Sequence, residues 1–142
     1  MYFSCIILFA GSLTNYFTGR LAASGADIII NGFGEKDEIN ELCKSIANDN
    51  GVRCIFAAAN LREPAEIESM MSFITEKTSR PLSILVNNAG IQHVSPIESF
   101  PVNSWDAVIE INLSSVFHTT RLALPAMKSQ NWGRVINVGR YN

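Results

Sequence analysis

The feature that most constrains this chain is a regular alternation of short, continuous apolar runs with segments of helical period. The runs lie at residues 5–9, 26–31, 52–58, 83–86 and 134–138. Runs of this length, largely apolar and rich in β-branched residues, suit strands buried on both faces. Between them, Ile39, Leu42, Cys43 and Ile46 fall at i, i+3, i+4 and i+7 of a segment spanning residues 35–50. Glu35, Asp37 and Glu38 lie in its first turn and Gly51 just past its end, the polarity a helix favours. Pro64 opens a second helix with Ile67, Met70, Met71 and Ile74 on one face. A long helix runs from Asn103 or Ser104 to Lys128, with Trp105, Val108, Ile109, Val116 and Ala123 in its buried stripe. The order β-α-β-α-β-α-β-α-β predicts an α/β fold. It is a doubly wound parallel sheet of about five strands, with right-handed crossovers and helices on both faces.

No repeat, low-complexity tract or linker interrupts the 142 residues, so a single domain over residues 1–142 is expected. A net charge of −2 provides no field for nucleic acid or an acidic membrane surface, and neither is an expected partner. The three cysteines, Cys5, Cys43 and Cys54, form no CxxC pair. An odd, sparse set argues against a disulfide framework and for a reducing, cytoplasmic setting. No apolar run reaches 18 residues, the length a membrane span requires. Residues 2–10 allow two readings, a secretory apolar segment or a buried strand entering a Gly turn. The missing basic flank favours the strand.

Ligands of open parallel sheets sit beyond the carboxyl ends of the strands, near the point where strand order reverses. Here those positions carry Gly11, Ser12, residues 31–34, Asn60, Leu61, residues 87–92 and Gly139 onward. They are mostly Gly, Asn and Gln, which suits holding a nucleotide better than hydrolysing a bond. Gly90 permits close backbone approach or a positive φ. Asn87 and Asn88 can donate and accept at once, tying strands and a ligand together; alone, the string also reads as an ordinary Gly-Asn turn. Asn112 shares a helical stripe with Trp105, Val108 and Ile109, and an amide there must find partners. A structural partner and a water beside a reacting group are equally compatible with its spacing. His93 and His118 have no ligand-spaced companions, so no metal site is expected. Ser12 lies in no GxSxG or P-loop string. The acids at 35, 37, 38 and 41 read as a solvated helix end. Cys43 reads as core and Cys54 as strand interior, with no sign that either is reactive.

Together, Asn87-Asn88-Ala89-Gly90, Ile111-Asn112-Leu113 and Gly133-Arg134-Val135-Ile136-Asn137-Val138 resemble the short-chain dehydrogenase/reductase family in order and spacing. The resemblance extends over residues 21–138. Further strings (Asn31-Gly32-Phe33-Gly34, Gly90-Ile91-Gln92-His93 and Ala123-Leu124-Pro125-Ala126-Met127-Lys128) are similar to members that act on 3-hydroxybutyrate or acetoacetate. The resemblance implies a Rossmann-type fold, NAD as cofactor, and hydride transfer with one of those small molecules as substrate. It places the 88–90 backbone (Asn88, Ala89 and Gly90) and Gly11 and Ser12 along the cofactor. Asn60 and Leu61 stand at adenine, and Phe33 near the adenosine end. Gln92 takes the substrate carboxylate and Asn112 the place of the catalytic residue that holds a relay water. No basic residue directly follows the second strand, which favours NAD over its 2′-phosphorylated form. Family members form homo-oligomers, commonly through the long helix.

Several positions depart from the family pattern. Residues 11–19 lack the inner glycines of the pyrophosphate loop and run about three residues short of it, and Leu13, Tyr16 and Phe17 would crowd the phosphates. The catalytic Ser position is Arg140. Tyr141 is not the catalytic Tyr, and no YxxxK string occurs in the 142 residues. Of the four catalytic residues only Asn112 remains. The chain is therefore expected to be the front half of such an enzyme, incomplete at the C-terminus, from a truncated gene, partial gene model or degenerate copy. It should be inactive alone and bind NAD weakly. The alternatives are a non-catalytic nucleotide-binding or dimerisation fragment, and a piece that does not fold because residues 134–138 form an unprotected edge.

Overall fold

The computed structural model describes residues 4–8, 13–78 and 81–139. Five parallel strands, β1 (Ser4–Leu8), β2 (Asp27–Asn31), β3 (Cys54–Phe56), β4 (Leu82–Asn87) and β5 (Arg134–Asn137), form one sheet in the order β3-β2-β1-β4-β5. The chain winds outward from β1 to β3, then crosses back to place β4 on the other side of β1. Strand order therefore reverses between β1 and β4, the position where α/β sheets open a crevice. The doubly wound expectation holds, and residues 4–8 form a strand of the sheet, as expected.

The runs of β2 and β4 are buried on both faces, as expected, whereas β3 is half-buried and β5, at the sheet edge, is largely exposed. Ile28 and Ile30 point into a cluster with Ala22, Ile46, Ile84 and Val86, beneath α1 (Leu13–Ala23) and α2 (Lys36–Asn50). Ile29 and Leu85, one residue out of phase, point into the opposite cluster with Ile67, Met70, Met71 and Ile74 of α3 (Pro64–Lys77). Side chains alternate across a strand, so a run of three isoleucines supplies both layers.

Helix α2 ends as expected. Gly51 takes φ 65°, and its N–H donates to the Ala47 carbonyl at 2.9 Å. Glu35 is the residue before the first turn, not within it, and Asp37 and Glu38 face the helix's positive end.

The long helix differs from its expected form. It starts at Val102, behind Pro101, and is not one regular helix. Helix α4 (Val102–Ile109) passes through a π turn (Glu110–Ser114) into α5 (Ser115–Ser129). The wider turn inserts a residue and rotates everything beyond it relative to a 3.6 period. The inward stripe of α5 thus restarts as Ser115, Thr119, Ala123 and Met127. Trp105, counted in one continuous stripe with Val116 and Ala123, lies 51% exposed, its ring edge-on to Phe100.

Candidate functional site

The residues after β4 leave the sheet at the reversal point and form a loop whose backbone is fastened from below. Asn112, in the π turn, accepts a hydrogen bond from the Ile91 N–H at its Oδ1 and donates from its Nδ2 to the Ile91 carbonyl, both at 2.9 Å. The partner that its place on the helix demanded is thus a loop backbone. The π turn aims it there. Ser115 closes the turn by donating its N–H to Glu110 and its hydroxyl to the Ile111 carbonyl at 2.6 Å. Glu110 accepts from Arg62 Nε at 2.6 Å, so the turn is tied to the segment after β3.

Asn88, Ala89, Gly90, Ile91, Gln92, His93, Val108, Asn112, Val138 and Gly139 line a cleft of about 260 Å³ at this place. Five sequence-nominated residues, Asn88, Ala89, Gly90, Gln92 and Asn112, therefore share one crevice. The lining is amides and backbone together with the apolar Ile91, Val108 and Val138 and a single imidazole, with no carboxylate or cation. Gly90 does not use a positive φ. A Cβ built there would meet Asn112 Oδ1 at 3.5 Å, an ordinary contact between two residues of the lining. His93 stacks edge-on against Phe100, with ring centroids 5.1 Å apart, and belongs to the wall rather than to any ligand set. Among the described residues no three His, Cys, Asp or Glu side chains come together.

A polar tie supports the floor of the cleft. Asn87 Nδ2 donates to Asn137 Oδ1 at 2.8 Å, and Asn87 Oδ1 accepts from the Thr119 hydroxyl at 2.9 Å. The amide at the end of β4 thus joins β5 and α5. Asn31, at the end of β2, likewise donates to the Ala57 and Ala59 carbonyls.

The other nominated residues lie elsewhere. Phe33, 79% exposed, stands with Gly32, Gly34, Lys36, Cys43 and Cys54 around a second cleft of about 590 Å³ at the end of β2. Asn60 is engaged locally. Its Oδ1 accepts from the Arg62 N–H, and its own N–H donates to Glu66. The Leu61 side chain, 6% exposed, is core, so any ligand contact there falls to its backbone. Neither residue is part of the lining of the two clefts. Gly11, Ser12, Arg140 and Tyr141 lie outside the described residues. Sequence reasoning missed His93, Val108 and Val138 as lining residues, because apolar and ring side chains carry no chemical flag.

A parallel sheet reversed at β1/β4, with an uncharged amide-lined cleft at the reversal, defines a nucleotide-binding α/β protein. The short chain dehydrogenase profile matches residues 9–141, and the chain belongs to that family. It is 52% identical over 119 residues to D-beta-hydroxybutyrate dehydrogenase of Cupriavidus necator, covering 83% of this chain and 45% of that protein. It is 45% identical over 118 residues to the D-beta-hydroxybutyrate dehydrogenase of Rhizobium meliloti, with the same coverage. The chain therefore spans somewhat less than half the length of these curated relatives. The crystal structure of a metagenomic short-chain oxidoreductase in complex with NADP superposes with a TM-score of 0.89 at 21% identity, covering 99% of this chain and 63% of that one. That likeness establishes the fold.

Proposed function

We propose that this chain is the dinucleotide-holding part of an NAD-dependent oxidoreductase that interconverts 3-hydroxybutyrate and acetoacetate. The observation that carries this is the convergence of Asn88, Ala89, Gly90, Gln92 and Asn112 on one cleft at the strand reversal, in a chain half identical to D-beta-hydroxybutyrate dehydrogenases. The opening beside Gly90 fits a cofactor, since a side chain at this lining position would narrow it. When bound, a nicotinamide dinucleotide gives hydride to, or takes it from, the substrate carbon. The 88–90 backbone lies along it. Phe33 covers the adenosine end, and Asn60 and the Leu61 backbone meet adenine. Gln92 donates its amide to the substrate carboxylate. Asn112 holds the loop through Ile91 and keeps one further donor and one further acceptor position for a water. NAD is favoured because residues 32–35 carry no cation. Lys36, the first, borders the Phe33 cleft and makes the phosphorylated cofactor the comparison to run.

Carbonyl reduction also requires an acid at the oxygen; neither Gln92 nor Asn112 is one, and the His93 ring is packed edge-on against Phe100 in the wall. The purified 142-residue chain is accordingly proposed to oxidise no NADH with acetoacetate. Turnover that tracks the protein through purification would overturn this. Calorimetric titration should give an NAD dissociation constant near millimolar, about −4 kcal/mol, weakened further in Gly90→Ala and weaker still for NADP. Equal binding by wild type and Gly90→Ala would remove the cleft from the proposal.

A second reading has its own observation. Val102, Trp105, Leu113 and Phe117 are exposed along α4, the π turn and α5. An apolar strip of this kind marks an interaction face. It suits a subunit interface in the cytoplasm, with the chain acting as a dimerisation module. Sedimentation should then give a dimer that Phe117→Glu dissociates; a monomer at high concentration would dispose of that reading.

A further inference from the structure

Cys43 and Cys54 belong to different elements, and the fold brings them together. Cys43 lies on the inward side of α2, one turn before Ile46. Cys54 opens β3 and pairs with Ile28 of β2. The two side chains pack against the same apolar cluster and line one wall of the same cleft, near enough for the Cys54 thiol to feel that of Cys43. Both are free thiols, and both are half-buried rather than sealed. Both border the cleft that holds Phe33 and Lys36, so a small molecule can reach them from solvent. Read separately in the sequence they are packing residues; side by side at a cleft wall they are a dithiol.

We propose that Cys43 and Cys54 are a reversible redox site, in which a hydroperoxide converts the two thiols at this cleft wall to a disulfide joining α2 to β3. In the first step the Cys43 sulfur attacks the peroxide, forming a sulfenic acid and releasing an alcohol or water. In the second the Cys54 sulfur displaces water from that sulfenic acid, and its proton leaves with the water. One peroxide is reduced and two thiols are oxidised, and a small dithiol reverses the change by exchange. The chemistry suits the place. Burial, with Cys43 beside it, pushes the Cys54 thiol up, so a thiolate is disfavoured there whereas a disulfide carries no charge. Drawing the sulfurs to a bond of about 2.05 Å pulls α2 onto β3 and tightens the Phe33 cleft.

The test uses the full chain carrying Cys5→Ser, so that only this pair can link. After one equivalent of hydrogen peroxide, intact mass should fall by two hydrogens, and digestion should yield a peptide joining Cys43 to Cys54. The melting temperature should rise by several degrees and return to its starting value with dithiothreitol. Cys43→Ala and Cys54→Val should each abolish the linked peptide. Oxygen adducts on separate cysteines, with no linked peptide in the unsubstituted pair, would overturn the proposal without requiring any variant to fold. The effect on cofactor rests on the function proposed above and separates from it. If the disulfide forms and NAD affinity falls at least fivefold, both stand. If it forms and affinity is unchanged, the redox site stands and the assignment of the Phe33 cleft to adenosine fails.

Discussion

Replacing Asn112 with alanine removes both bonds that hold the Ile91 peptide, and the consequence can be worked out from their surroundings. Each bond is 2.9 Å long. A protein hydrogen bond contributes about 0.5–1.5 kcal/mol net. Ile91 is 40% exposed, so its freed N–H and carbonyl can turn to water. The loss therefore belongs in the lower part of the summed range, about 1–2 kcal/mol, or roughly a five- to thirtyfold change in a local opening equilibrium. The cost falls on the loop, not on the sheet. Amide hydrogen exchange read by NMR resolves the two. The Ile91 amide should exchange about five to thirty times faster, while the Leu85 amide in the middle of β4 keeps its rate. Asn112→Asp retains the acceptor for the Ile91 N–H but sets a second oxygen against the Ile91 carbonyl, and should recover only part of the protection. The reasoning is refuted if Ile91 exchange is unchanged, or if Ile91 and Leu85 accelerate together.

Three further outcomes are expected. Adjacent threonines should respond oppositely to one substitution. Thr119→Val strands the buried Asn87 Oδ1 and should cost about 1–3 kcal/mol, whereas Thr120→Val removes a buried hydroxyl without a partner and should be neutral or stabilising by up to about 1 kcal/mol in urea unfolding. Equal effects would show that Thr119 serves only its own helix. Gly133→Ala places a Cβ 2.5–2.6 Å from Met127 Cβ, Cγ and Sδ, too near the helix for a rotamer change to relieve, and should cost about 1–3 kcal/mol by thermal melting; a neutral result would mean that the turn before β5 shifts freely. The raised pKa of Cys54 means that the folded chain keeps a proton that the unfolded chain releases above about pH 8.5. Its contribution is complete below that pH and is lost as pH rises, by less than about 1.4 kcal/mol per unit because the residue is partly solvated. Urea midpoints from pH 8 to 10 under reductant should fall more steeply for wild type than for Cys54→Val, and parallel slopes would refute the shift.

Much of the architecture was legible because it follows from local rules. Ile28, Ile29 and Ile30 announce a strand with two buried faces, Pro64 a helix start and Gly51 a helix end. The π turn was not legible, since its i→i+5 bonds leave no local pattern in Glu110-Ile111-Asn112-Leu113-Ser114. Missing it misplaced Trp105. The motif residues around Gly90 identified the cleft, but the partner of Asn112 lies 21 residues away in the chain and is a backbone group, which no side-chain pattern encodes. The Cys43–Cys54 contact escaped for the same reason: a helix face and an edge strand meet only through the crossover.

The amide at the end of β4 also decides how the last strand lines up. Arg134, Ile136 and Asn137 of β5 are exposed, so apolar packing alone would barely distinguish one offset from its neighbours. Sliding β5 by one residue puts Ile136 or Val138 opposite Asn87, and a dry amide loses its mate. In a sheet otherwise aligned by oily side chains, the final strand is indexed by a pair of asparagines.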